Sequence, residues 1–331
     1  MNAVTSRTQA IGPGLIFALI VAAAANFLAE HYTAPAMLYA LLLGMMLNFL
    51  TEAPRSHAGI EFASKTLLRI GVALLGLRIG WEQIMLLGWM PVVMVVAMVA
   101  ITIGISVILA RAMGFNPLFG FLSGGATAIC GASAAMALSA MLPAHEKKEQ
   151  ATLFTVIGVS FLSTIAMIVY PLIADAAGLN DHQAGIFIGA TIHDVAQVVG
   201  AGYAISPDAG DTATIVKLLR VAMLLPVILA AGFVTRRQTS PGTKRPPLLP
   251  WFVVGFVVLM VINSLHILPR EAIAAGDAIS RWCLITSIAA IGIRTRLADI
   301  VKLGFKPVLV MVIETILLAA MVLTFISFGP L

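Results

Sequence analysis

The sequence predicts an all-α polytopic membrane protein: about 9–11 transmembrane segments, inverted-topology repeats and two broken or re-entrant glycine-rich helices. Three observations carry this. Hydrophobic residues make up 60% of the 331 residues and charged residues 11%, against roughly 45–50% and about 25% in soluble domains. With a mean hydropathy of +1.02, a water-soluble fold could not hide so much apolar surface in one core. Apolar runs of bilayer length also recur along the whole chain. Finally, two further apolar runs are built from Gly, Ala, Ser and Thr instead of Leu, Val and Ile.

The ordinary spans, in order, are residues 11–29, 34–50, 67–87, 91–110, 152–174, 212–235, 250–268, 278–293 and 307–328. Each approaches the ~20 apolar residues that a crossing helix needs. The N-terminus carries one Arg before its apolar run and no small-residue cleavage site, so it is read as a retained first span. The two unusual runs are 118–142 (LFGFLSGGATAICGASAAMALSAML) and 184–205 (AGIFIGATIHDVAQVVGAGYAI). Irregular backbone at membrane depth is tolerated only where protein or a water-filled cavity satisfies it. All 331 residues are assigned to a single integral membrane transporter domain, with halves at about 1–175 and 176–331.

Charge placement bears on orientation. The most basic connectors are 236–245 and 294–306, two spans apart, while 175–181 and 208–211 contain no Lys or Arg. Short cytoplasmic loops favour Lys and Arg. If both glycine-rich segments re-enter, Arg111, Lys147 and Lys148 lie inside and the acidic connectors outside. If both cross as broken helices, Lys147 and Lys148 lie outside. The first arrangement follows the rule better.

The formal net charge of +5 is spread through these connectors, which excludes a nucleic-acid-binding face. The apolar excess excludes disorder. Cys130 and Cys283 sit in separate apolar runs and read as small hydrophobes, with no metal site and no disulfide framework. No metalloprotease, nucleophile-elbow, P-loop or CxxC pattern is present, so neither an enzyme nor an ATP-driven pump is expected.

Two internal matches stand out. Gly125-Ala126-Thr127-x-x-Cys130-x-Ala132-Ser133 parallels Gly189-Ala190-Thr191-x-x-Asp194-x-Ala196-Gln197. Residues 73–91 parallel 289–307, pairing Gly76 with Gly292, Arg78 with Arg294, Gly88 with Gly304 and Pro91 with Pro307. In the expected topology the second pair runs in opposite directions, as inverted transporter repeats do.

Asp194 is the sharpest single signal. A carboxylate at membrane depth costs at least about 2.5–3.5 kcal/mol and is functional by default. It reads as an ion-coupling group with His193 beside it, or as the cap of a half-helix; Thr191, Asp194 and Gln197 are spaced to share a helical face. Ser123, Gly124, Gly125 and Thr127, with Cys130 and Ser133, read as a backbone cradle before a helix N-terminus, which attracts anions. Arg78 and Arg294 end their apolar runs and read as steering charges. Glu314, Lys217 and Arg220 are further intramembrane charges that could pair with one another.

The stretches LLRIGVALLGLRI, SGGATAICGASAA and GATIHDVAQVVGAG resemble the YeiH-type family of bacterial inner-membrane proteins, the sulfate exporters, over nearly the whole chain from about Gly12. That family is grouped with secondary carriers of the sodium/proton antiporter and bile-acid transporter type. The resemblance implies inverted repeats, discontinuous helices, an inner-membrane location and gradient-driven carriage of a small anion such as sulfate, a related sulfur oxyanion or a sulfonate. The coupling ion would be H+ or Na+, with no other cofactor. The partners are the lipid bilayer and the anion, with no nucleic acid, and a homo-oligomer is compatible with the sequence. The alternatives are a cation/proton antiporter using Asp194 and an intramembrane enzyme using Cys130, His193 and Asp194.

Overall fold

The computed structural model describes residues 2–31, 36–79, 85, 87–142, 148–235, 251–295 and 305–328. It is 89% helical, with no strand among the described residues. The chain opens with α1 (Asn2–His31) and α2 (Ala36–Met46), then a 3-10 turn over Asn48–Glu52. Next come α3 (Pro54–Phe62), a π-helical turn over Ala63–Leu67 and α4 (Leu68–Leu75), without interruption. α5 (Met90–Ala112), α6 (Pro117–Ala128), α7 (Ala132–Met141), α8 (Lys148–Ala176), α9 (Asp181–Thr191) and α10 (Val195–Ile205) follow. The chain continues with α11 (Pro207–Ala222), α12 (Leu224–Thr235), α13 (Trp251–Ser264), α14 (Arg270–Arg294) and α15 (Phe305–Phe328).

Six stretches among the described residues are long and apolar enough to cross a membrane. They are Ala10–His31, Met90–Ala112, Gln150–Ala176, Pro207–Ala231, Arg270–Arg294 and Phe305–Phe328. At about 1.5 Å per residue each exceeds the ~30 Å hydrocarbon core. Apolar side chains stand exposed on the helices: Ile16, Phe17, Ile20 and Phe27 on α1, and Trp251, Val254, Val257 and Val261 on the shorter α13. Contiguous apolar faces of this kind belong against lipid.

Two predicted spans need correction, and two others, 34–50 and 250–268, hold only shorter helices among the described residues, Ala36–Met46 and Trp251–Ser264. The span at 67–87 is not one helix, since the helical run starts at Pro54 and stops at Leu75. Pro54 opens it at the first helical position, where its missing N–H costs nothing. The polar stretch from Arg55 to Lys65 hid this start from a search for apolar residues. The span at 212–235 begins earlier, at Pro207, and is interrupted at Met223. Pro226, in the first turn of α12, has no N–H for the preceding turn. By contrast both glycine-rich runs are broken helices, interrupted at 129–131 and 192–194. Lys147, on which re-entry or crossing turns, lies outside the described residues. So do the basic connector 236–245 and much of the 73–91 and 289–307 pair.

The described chain forms two compact units. The first comprises Met1–Leu86, Val199–Ser206 and Pro250–Arg296. Small residues bring its helices together. A Cβ on Gly44 of α2 would lie 2.3 Å from the Ala289 carbonyl oxygen, and one on Gly292 of α14 would lie 2.4 Å from that of Leu41. Any side chain there would force the helices apart. Asn48 closes the end of α14, donating to the carbonyls of Ile293 at 2.7 Å and Thr295 at 3.0 Å. The second unit comprises Leu87–Val198, Pro207–Leu249 and Leu297–Leu331. In it α5 packs on α6, α9 packs on α11, and α15 contacts α5, α6, α8 and α9.

Candidate functional site

The site lies in the second unit and begins with a backbone problem. A helix that stops inside a protein leaves its last carbonyls unpaired and about half a negative charge at its end. Both α6 and α9 stop this way. α11 supplies the remedy through Lys217 and Arg220, three residues apart and so on one face. Both are buried, at 0% and 2% exposure. The Lys217 ammonium donates to the carbonyls of Ile129 at 2.7 Å, Ile192 at 3.0 Å and His193. Arg220 donates through Nε to Ala128 at 2.8 Å and through Nη2 to Thr127 at 2.7 Å. Its Nη1 reaches Gly189 at 3.0 Å and Ile192 at 2.9 Å. Each cation therefore bridges both helix ends. All three ammonium hydrogens of Lys217 are used, so these cations serve the backbone and are not a free anion clamp.

The two breaks touch. Gly131 adopts φ +63°, a conformation that favours glycine, and a Cβ there would lie 3.6 Å from the backbone and Cβ of His193. His193 is fully buried. Its Nδ1 donates to the Thr127 carbonyl at 3.1 Å, and its Nε2 lies 3.0 Å from Thr315 Oγ1. The carbonyl can only accept, which puts a proton on Nδ1. Both ring nitrogens are thus occupied by groups other than Cys130 and Asp194, and the hydrogen-bonded Cys130–His193–Asp194 set of the enzyme alternative is not assembled.

Asp194 closes the second break. Its Oδ1 accepts from the Ala196 N–H at 2.9 Å, capping α10, and its own N–H donates to Ser163 Oγ at 3.0 Å. The side chain is half-buried. Gln197 follows in the first turn, with Nε2 donating to Thr164 Oγ1 at 2.8 Å. The Thr164 hydroxyl is already spent on the Ser160 carbonyl at 3.0 Å. That fixes the amide orientation and leaves Gln197 Oε1 buried without a partner.

The other sequence candidates fall differently. Ser123, Gly124, Gly125 and Thr127 do not form a loop cradle; they lie within α6, and the break comes after them. Their backbone N–H groups belong to a continuing helix. Thr191 is the last residue of α9 and its hydroxyl bonds back to Phe187. It does not share a helical face with Asp194 and Gln197, because the break intervenes. Cys130 is buried in the first break, and Ser133 is exposed in the first turn of α7. The N-cap of α7 is Gly131, which offers no side-chain acceptor. Arg78 and Arg294 belong to the first unit. Arg78 sits 3.8 Å from Asp277 and 5.4 Å over the Tyr203 ring, and Arg294 donates to Ser64 Oγ at 2.8 Å.

Glu314 does not pair with Lys217 or Arg220. On α15, at 2% exposure, it accepts from Ser123 Oγ at 2.7 Å and Thr127 Oγ1 at 3.3 Å. The sequence marked Lys217 and Arg220 as charges inside an apolar run. Their true partners are main-chain carbonyls 24 to 93 residues away, which no side-chain pattern announces.

These features define a polytopic helical membrane protein in which two interrupted helices meet, with buried cations on their C-terminal ends. The chain belongs to the UPF0324 membrane protein family: the family described as Conserved hypothetical protein 698 matches residues 13–311. It is 52% identical to a UPF0324 membrane protein of Chlorobaculum tepidum, over 94% of this chain and 88% of that one. It is 49% identical to one of Rhizobium meliloti, over 94% and 91%. It is 48% identical to the UPF0324 membrane protein TauZ of Paracoccus denitrificans, over 95% and 94%. No solved structure matches the chain.

Proposed function

We propose that the chain is a secondary transporter of a bacterial inner membrane that exports a small anion, sulfate or a related sulfur oxyanion or sulfonate, using a proton or sodium gradient. One observation carries this reading. Where the two breaks meet, both C-terminal helix ends are neutralised by Lys217 and Arg220, one N-terminal end is capped by Asp194, and the other, at Gly131, has no side-chain cap. An uncapped N-terminus offers backbone N–H groups and about half a positive charge. It holds an anion without a salt bridge, which suits a carrier that must also let go. Asp194, with His193 beside it, is the coupling group. Arg78 and Arg294 have partners of their own and serve at most as steering charges.

Flux into protein-containing liposomes tests the reading. Sulfate should accumulate, chemically unchanged, against its gradient when a pH or Na+ gradient is imposed. A thermal-shift screen against sulfate, sulfite, thiosulfate, sulfonates and carboxylates would name the anion, since a ligand at a hundred times its Kd stabilises by about 2.7 kcal/mol. Absence of flux for every anion would remove the proposal. A second reading, a cation/proton antiporter, draws on the unpartnered Gln197 Oε1 and on the Asp194 carboxylate three residues before it, since both are acceptors that suit a cation. Cation flux with no anion dependence would favour it.

A further inference from the structure

Glu314 is the buried carboxyl group that the transport reading leaves unused. Its surroundings are hydroxyls. From α6, Ser123 and Thr127 donate to its two oxygens. From α5, Ser106 is buried, at 1% exposure, and its hydroxyl has no hydrogen-bond partner among the described residues. From the second break, His193 reaches it only indirectly, through the Thr127 carbonyl and the neighbouring Thr315. α8 and α9 bring no charged side chain against it among the described residues. Arg220 is joined to it only through Thr127, whose carbonyl accepts from the guanidinium while its hydroxyl donates to Glu314. Asp194 and Lys217 are one step further off, beyond His193. Among the described residues no helix N-terminus caps it.

The hydroxyls are built to serve two states. Ser123 Oγ lies 2.7 Å from Glu314 Oε1 and 3.5 Å from the Gly120 carbonyl. It can donate to an ionised carboxylate. It can also turn its hydrogen toward Gly120, a longer contact, and accept from a protonated carboxyl. Thr315 Oγ1 stands in the same way between the Met311 carbonyl at 2.8 Å and His193 Nε2 at 3.0 Å. Taking up a proton therefore needs rotation of hydroxyl hydrogens and no movement of heavy atoms.

The charge balance gives that proton a consequence. The four helix ends at the breaks cancel, Asp194 offsets one of the two cations, and about one positive charge remains. An ionised Glu314 cancels it, and a protonated one leaves it for an anion. We propose that Glu314 is a second proton-binding site, apart from Asp194, in which the Ser123–Thr127 hydroxyl pair partners the carboxyl group in both protonation states. The proposal rests on the carrier reading and gives it an internal proton store.

The test is an infrared difference titration of the purified full-length protein, with no substrate, from acid to alkaline pH. The protonated-carboxyl signal grows on acidification as all 15 Asp and Glu side chains titrate, so the Glu314 component is read from the difference between variants: it should be present in the wild type and in Asp194→Asn and be lost from the signal in Glu314→Gln. Ser123→Ala, which leaves the carboxyl in place, should keep the component and displace its midpoint; it decides the matter if Glu314→Gln does not fold. An undiminished signal in folded Glu314→Gln, a difference between wild type and Glu314→Gln that does not change with pH, or a Ser123→Ala midpoint identical to the wild type would overturn the proposal. Because no substrate is used, failure here leaves anion carriage to the flux experiment, and failure of flux leaves the component unchanged.

Discussion

At the helix C-termini that enter them, the two breaks use one device twice: the carbonyls at the ends of α6 and α9 converge on Lys217 and Arg220. At the helix N-termini that leave them they part. α10 starts behind a carboxylate that caps its own backbone, and α7 starts behind Gly131 at positive φ, which has no side chain to cap it, with only the buried Cys130 thiol against the Ala134 N–H. Shared solutions at the C-terminal ends are what stability demands, since neither carbonyl cluster could be left bare in an apolar interior. The asymmetry at the N-terminal ends has no such motive. Leaving one end without an N-cap side chain forgoes about 1 kcal/mol that a Ser, Asp or Asn would supply, and the positive pole it leaves is the one on which the proposed anion site rests.

The largest effect should come from breaking the shared side. Arg220→Gln leaves up to four buried carbonyls short of a donor and removes a buried cation, at a cost of about 3–5 kcal/mol. Thermal unfolding in detergent should show a large drop in Tm or failure to fold. Lys217→Met should be nearly as damaging; a Tm unchanged in both variants would mean that the helix ends are satisfied in another way.

Asp194→Asn probes the capped side. Asn caps almost as well as Asp, so the Tm should move little, by less than about 1 kcal/mol in stability, while gradient-coupled flux is lost. Wild-type coupling in a folded Asn variant would reduce Asp194 to a cap. The smallest effect is expected in the other unit. Arg78 is partly exposed, at 32% of its side chain, and 3.8 Å from Asp277, a contact worth about 0–1 kcal/mol. Arg78→Gln should leave stability and equilibrium binding unchanged and at most weaken the salt dependence of the uptake rate.

The sequence disclosed the parts of this comparison that composition controls. Small residues without Leu or Val density marked both broken helices, and a charge amid apolar residues marked Asp194, Lys217, Arg220 and Glu314. It misplaced what depends on local geometry. Gly124 and Gly125 suggested an opening, yet they serve packing inside α6, where a Cβ on Gly124 would lie 2.4 Å from Ser106 Oγ. The actual break needed Gly131 and its positive φ. Pairing across long separations was also hidden: side-chain charge complementarity suggested Glu314 with Lys217 or Arg220, whereas the fold gives Glu314 hydroxyls and gives the cations carbonyls.

The central claim is that the uncapped start of α7 is the anion's end of the site. Ser133 lies in its first turn and is exposed, so a charge can be placed there without disturbing the core. Sulfate, or whichever anion the thermal-shift screen selects, should be titrated against purified wild type, Ser133→Asn and Ser133→Asp. A fixed carboxylate in that turn supplies the negative charge that the helix start otherwise takes from the ligand, an effect of up to about 2 kcal/mol. Ser133→Asn should bind as the wild type does, and Ser133→Asp should bind about tenfold more weakly. Equal affinity in all three would contradict the account and move the anion away from α7.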